Sequence, residues 1–139
     1  MENNQAITIS ATVNAPINKA WEIWTDPEHV KKWNNASPDW HTPNATNDLR
    51  PGGRFTFTMA AKDGSFSFDF GGVYDVVTIG EFISYTLDDN RKVSVSFKSD
   101  HNKTDIVETF DPENQNPVEM QRGGWQAILD NFKKYTESI

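Results

Sequence analysis

Cysteine is absent from the 139 residues, so the chain has no disulfide framework, no thiolate metal site and no cysteine nucleophile. That suits a reducing compartment, and a cytoplasmic location is expected. No run approaches the roughly 18 apolar residues of a membrane span, and the opening MENNQAITIS lacks a basic segment followed by an apolar stretch. Neither export nor membrane insertion is expected, and the sequons at Asn35, Asn44 and Asn102 then read as ordinary loop chemistry. Basic charge is also short. The 13 Lys+Arg stand against 20 Asp+Glu, and the net charge of −7 repels phosphate backbones, which argues against a nucleic-acid partner. His29, His41 and His101 are scattered without metal-ligand spacing, and no nucleophile elbow, phosphate-cradling loop or dinucleotide fingerprint occurs. No metal, no cofactor and no catalytic motif is indicated.

What the chain does contain is alternation. Ile7, Ile9, Ala11 and Val13 alternate with Thr and Ser, the period of a half-buried strand. Pro16 ends it, and Ala20, Trp21 and Trp24 fall at helical spacing over 17–25. Asp26-Pro27 closes that helix and opens a second short one, which ends at Trp33. Residues 34–47 are rich in Asn, Ser, Pro and Thr and carry Trp40 and His41, so they read as a long loop, a natural lid with one apolar anchor.

Short extended segments follow. Phe55, Phe57 and Met59 alternate up to the Asp63-Gly64 hairpin signal, and Phe66, Phe68 and Phe70 return from it. Gly71-Gly72 suggests a bulge before a further strand over 73–79. Residues 82–87, the alternation of Val93, Val95 and Phe97, and residues 104–110 complete the set. Asn116 reads as a helix N-cap with Pro117 at the first helical position. Trp125, Ile128, Leu129 and Phe132 then lie at i, i+3, i+4 and i+7, one apolar stripe that must be buried.

One strand, two short helices, about six antiparallel strands and one long amphipathic helix make a single α+β domain over 1–139, long enough to bury roughly 70% of its unfolded surface. A bent sheet with Phe55, Phe57, Phe66, Phe68, Phe97 and Phe110 on its inner face would grip the last helix, leaving a cavity where the two surfaces diverge.

The runs APINKAWEIWTDPEHVKKW, DLRPGGRF, FGGVYDV and NPVEMQRGGWQAILDNFKKYTE resemble the SRPBCC or START-like superfamily. Within it, the chain is similar to the family of homologues of the C-terminal domain of the activator of the heat-shock protein 90 ATPase. The resemblance covers essentially the whole chain. It implies a helix-grip fold, a curved antiparallel sheet wrapped around the C-terminal helix over a deep cavity, used across the superfamily for lipids, sterols, polyketides and plant hormones. The eukaryotic activator's separate N-terminal chaperone-binding domain has no counterpart in these residues.

The cavity candidates are Trp33, Trp40, His41, Phe57, Phe68, Tyr85, Phe97, Glu108, Trp125 and Leu129. Glu108 shares a strand face with Ile106 and Phe110; if that face is inward, a carboxyl enters an apolar space and its pKa rises, whereas if Val107 and Thr109 point inward it is solvated. His41 is either ligand-facing or an exposed loop histidine, and Asp69 should point outward. Gly123-Gly124 costs the helix stability, for either ligand room or close packing. The expected function is binding of a small apolar or amphipathic ligand. The alternatives are contact with a chaperone ATPase, or a cyclase or hydrolase in which Glu108, with His41, moves a proton.

Overall fold

The computed structural model describes residues 5–139. The elements in chain order are β1 (Ile7–Val13), α1 (Ile17–Thr25), α2 (Pro27–Trp33), β2 (Trp40–Asn47), β3 (Arg54–Ala61), β4 (Ser67–Thr78), β5 (Phe82–Leu87), β6 (Lys92–Asp100), β7 (Lys103–Phe110) and α3 (Val118–Ser138). All seven strands form one sheet in the order β1-β7-β6-β5-β4-β3-β2, every neighbouring pair antiparallel. The chain leaves β1, makes the two short helices, re-enters at the far edge with β2 and returns strand by strand until β7 pairs with β1. The sheet thereby curls into a half-barrel, and α3 lies in its concave face.

The strand alternation survives folding. Ile7, Ile9 and Val13 of β1 are buried, as are Val93, Val95 and Phe97 of β6 and Ile106 and Phe110 of β7. The helices meet them. Leu129 and Phe132 of α3 are fully buried, and the Phe132 ring packs edge-on against Trp24 at 4.9 Å and Trp33 at 5.0 Å. Trp21 and Trp24 of α1 pack edge-on against Phe97 of β6.

Polar ties fix the helices to one another and to the sheet at places where backbone groups would otherwise be orphaned. Trp33 Nε1 donates to the Ile23 carbonyl at 3.0 Å, Asn131 Nδ2 to the Trp33 carbonyl at 2.7 Å, and Thr104 Oγ1 to the Ala15 carbonyl at 2.8 Å. Tyr74 donates its hydroxyl to Asn47 Oδ1, and Asn47 Nδ2 donates to the Thr25 carbonyl at the end of α1.

Four local expectations are corrected. Residues 40–47 are not a loop or a lid: Trp40–Asn47 is the edge strand β2, paired with β3. Its Pro43 and lack of apolar alternation hide it, and both are tolerated because an edge strand needs only one hydrogen-bonded side; the register slips between His41 and Asn44. Second, residues 67–78 are one 12-residue strand, with its irregularity between Tyr74 and Val76 rather than at Gly71-Gly72. Those glycines serve close approach, since a Cβ would lie 2.8 Å from the Phe55 carbonyl oxygen at Gly71 and 2.4 Å from that of Thr86 at Gly72.

Third, α3 begins at Val118 with Pro117 in the cap position and no side-chain cap. Asn116 instead donates to Glu113. Fourth, Phe66 is not on the inner face; it precedes β4, is 59% exposed, and packs on Trp40 and Phe68.

Truncation of Phe132 to Ala therefore costs about 3–5 kcal/mol, seen as a lowered urea midpoint, because the surrounding indole rings cannot collapse onto the gap. Phe66→Ala at the exposed tip shifts the same midpoint by less than about 1 kcal/mol.

Candidate functional site

Where α3 rises away from β3 and β4, the concave face of the sheet stays uncovered and a cavity of about 270 Å³ remains. Its helical wall comes from Trp24 and Trp33, with Asn34 beyond them, and from Gln121, Trp125 and Ile128 of α3. Its sheet wall comes from Phe57 and Met59 of β3, Phe68 and Phe70 of β4, Tyr85 of β5 and Glu108 of β7. Arg91 and Glu113 complete it at the loops before β6 and after β7.

Trp125 holds one side by stacking face to face on Phe110, with centroids 3.9 Å apart and planes at 7°, while Phe70 meets its ring at 76°. An indole clamped in this way cannot swing in to fill the space. Trp24 and Trp33 pack on each other at 5.0 Å on the opposite side.

Glu108 is 6% exposed and points inward. Its strand neighbours on that face are Ile106 and Phe110, and its cross-strand partners are Ile9 on β1 and Val95 on β6, all buried. No described residue donates a hydrogen bond to its carboxyl, and burial alone pushes the pKa from 4.5 up to about 8. At neutral pH the group is mostly protonated. The Tyr85 hydroxyl beside it is also driven well above its ordinary pKa, first by burial, then by the Glu108 charge and by Tyr74.

The polar residues at the rim are, by contrast, tied down. Arg91 donates Nε to Asp89 Oδ2 at 2.7 Å. Glu113 accepts from Asn116 Nδ2 and from the backbone N–H groups of Asn116 and Gln115, which hold its carboxyl below the usual range. Gln121 Nε2 donates to the carbonyls of Glu113 and Asn116, and its Oε1 accepts from the Glu113 N–H, so the first turn of α3 is fastened to the loop after β7.

Of the ten residues expected at a cavity, Trp33, Phe57, Phe68, Tyr85, Glu108 and Trp125 line this one. Phe97 and Leu129 lie beneath it in the core. Trp40 sits outside, against Phe66 and Phe68, and His41 is exposed on the edge strand. Trp24, Asn34, Met59, Phe70, Arg91, Glu113, Gln121 and Ile128 line the cavity without having been singled out. Met59, Phe70 and Ile128 carried a signal, since each lies in register with a named neighbour. Arg91 and Glu113 carried none, because their positions depend on how two loops fold back.

Gly124 and Ile128 lie in one row of α3 that continues to Asn131, the residue bound to the Trp33 carbonyl. A Cβ at Gly123 or Gly124 would meet nothing within 4 Å. The glycine pair is therefore not there for close packing. Glu22, Asp26 and His29 gather on the surface, but Asp26 caps α2 by accepting from the Glu28 N–H, and His29 Nδ1 hydrogen-bonds the Tyr135 hydroxyl.

Comparison with known proteins agrees with this architecture. A solution structure of an AHSA1-like protein from Aeromonas hydrophila is 45% identical and superposes with a TM-score of 0.91, covering 96% of this chain and 93% of that one. The solution structure of Chr148 from Cytophaga hutchinsonii is 57% identical with a TM-score of 0.83, covering 95% and 92%. Protein NE0264 from Nitrosomonas europaea, at 19% identity over 99% and 97%, shares the fold with a TM-score of 0.83. Among curated proteins none matches. The model of the family described as Activator of Hsp90 ATPase homolog 1-like protein matches residues 14–137, and with this helix-grip architecture the chain belongs to that family.

Proposed function

We propose that the protein binds a small apolar or amphipathic molecule in the cavity between the sheet and α3. The observation that carries this reading is that the cavity stays empty by construction. Its indole and phenyl walls are locked by stacking and edge contacts with one another, so they cannot relax into the space. An apolar cavity of roughly 150 Å³ is enough to admit benzene, and the volume here is about 270 Å³.

The same geometry speaks against proton-transfer chemistry by a Glu108–His41 pair, because His41 lies exposed on β2 and does not line the cavity. Glu108 and Tyr85 are then the ligand-orienting groups on the sheet side of the cavity, while the buried Asn34 and Gln121 on the helix side are tied by hydrogen bonds. Contact with a chaperone ATPase of the heat-shock protein 90 type is a second reading, favoured by the family to which the chain belongs. Failure to stimulate the ATPase of such a chaperone at excess stoichiometry removes it.

A neutral arylalkanol such as phenylbutanol quenches tryptophan fluorescence saturably, since three indoles line the cavity; lack of saturation up to its solubility limit overturns the binding reading. Gly124→Leu raises stability by about 0.5–1 kcal/mol through helix propensity, seen as a raised urea midpoint, since a side chain there meets no neighbour.

The buried carboxyl has its own signature. Between about pH 4.5 and pH 8 the folded state keeps a proton on Glu108 that the unfolded chain has released. Stability is therefore fully present below pH 4.5 and falls as pH rises through this window, with a slope approaching about 1.4 kcal/mol per pH unit. Urea titrations across the window measure it, and Glu108→Gln flattens the profile.

A further inference from the structure

Resting on the cavity reading, we infer that the bound molecule carries a basic nitrogen: an alkylammonium or arylalkylammonium whose charged head meets the Glu108 carboxylate beside the Tyr85 hydroxyl, with its hydrocarbon part between the indoles.

The sheet gives Glu108 no structural reason to be an acid. It stands mid-strand among Ile106, Phe110, Ile9 and Val95, where an alkyl side chain would pack without desolvating a carboxyl. Its carboxyl accepts no hydrogen bond and forms no ion pair with any described residue. The partner that would make the carboxylate stable has to come from the cavity.

The other ionisable groups on that cavity point to the sign of the partner. From β5 comes Tyr85, from the turn before β6 Arg91, and from the loop after β7 Glu113; the lining residues of α1, α2 and α3 are Trp24, Trp33, Gln121, Trp125 and Ile128, none of them ionisable. Arg91 is half-buried at the rim, where its Nε is bound to Asp89 and its charge acts on Glu113; burial is the one cause of the Glu108 shift, so the guanidinium does not reach that carboxyl. An anionic head beside Glu108 would face that carboxyl, with the Arg91 guanidinium out at the rim between Asp89 and Glu113. A cation would face a carboxylate within aromatic walls, whose ring faces attract ammonium groups, about 0.5–2 kcal/mol per favourable contact. The chain's net charge of −7 also draws cations toward it.

Protons separate this pairing from its rivals. The empty cavity holds Glu108 protonated at neutral pH. Entry of a cationic amine converts the pair to ammonium and carboxylate and releases the Glu108 proton to solvent, so affinity rises with pH. A carbonyl ligand that accepts a hydrogen bond from protonated Glu108 shows the opposite trend, losing affinity as pH passes 8.

The experiment is isothermal titration calorimetry of the full chain with phenylbutylamine, phenylbutanol and phenylbutanoate at several pH values from 6 to 8, in buffers of different ionisation enthalpy. The expected result has three parts. At pH 8 the amine binds at least tenfold more tightly than the alcohol. Its affinity climbs by up to tenfold per pH unit below the Glu108 pKa, with release of close to one proton. Glu108→Gln removes both the release and the pH trend. An alcohol or carboxylate that matches the amine, or amine binding without proton release by the unsubstituted protein, overturns the inference and leaves the cavity reading in place. Failure of all three probes to bind overturns the cavity reading, and this inference with it.

Discussion

The seating of α3 in the concave face of the sheet is the constraint on which the rest of the molecule depends. A curled seven-stranded sheet exposes a broad apolar surface on one side, and the chain has one long helix with which to cover it. Leu129 and Phe132 make the central contact, and burying each such side chain contributes about 1.5–3 kcal/mol. Phe132 in turn positions Trp24 and Trp33, so the two short helices are held by the same ring that anchors the long one.

One cylinder cannot cover a hyperbolic surface along its whole length, and the cavity is a consequence of that mismatch. Toward its C-terminal end α3 is packed tightly. Toward its N-terminal end it runs over β3 and β4 at a distance, bridged by Trp125 through its stack on Phe110 and its edge contact with Phe70. The aromatic wall is held by these contacts and does not fill the space. Into this largely aromatic cavity the sheet projects the carboxyl of Glu108, a group whose charged form costs several kcal/mol to bury without a partner. Many of the polar side chains at the helix junctions and the rim are tied to backbone carbonyls or to one another. Thr136 Oγ1 is also buried without a partner, but among the described carboxyl groups Glu108 combines burial with the lack of any hydrogen bond or ion pair.

Family membership and the high structural similarity to other AHSA1-like proteins define the architecture, and architecture does not define a ligand. The helix-grip scaffold supplies the mouth, the floor and the gripping helix. The chemistry of the space is set by the side chains that line it, here mostly aromatic rings with the unpaired Glu108 carboxyl and the Tyr85 hydroxyl inside and Arg91, Glu113 and Gln121 at the rim.

The sequence by itself determined the α+β class, the single apolar stripe of α3 and most strands, because these are local periodicities that the solvent reads one residue at a time; it left open which face of β7 turns inward, since apolar residues lie on both, and only the fold decided that Glu108 is buried. Trp33, Phe57, Tyr85 and Trp125 were legible as cavity candidates for the same reason. Only the tertiary structure decided that residues 40–47 form an edge strand, because pairing with β3, not their own composition, makes them extended. Only it separated Phe97 and Leu129, which are core, from Phe57 and Phe70, which are wall: all four are apolar residues on inward faces, and the difference lies in where the helix departs from the sheet. Arg91 and Glu113 join the site through loops whose course depends on hydrogen bonds between residues distant along the chain, and no local pattern encodes that.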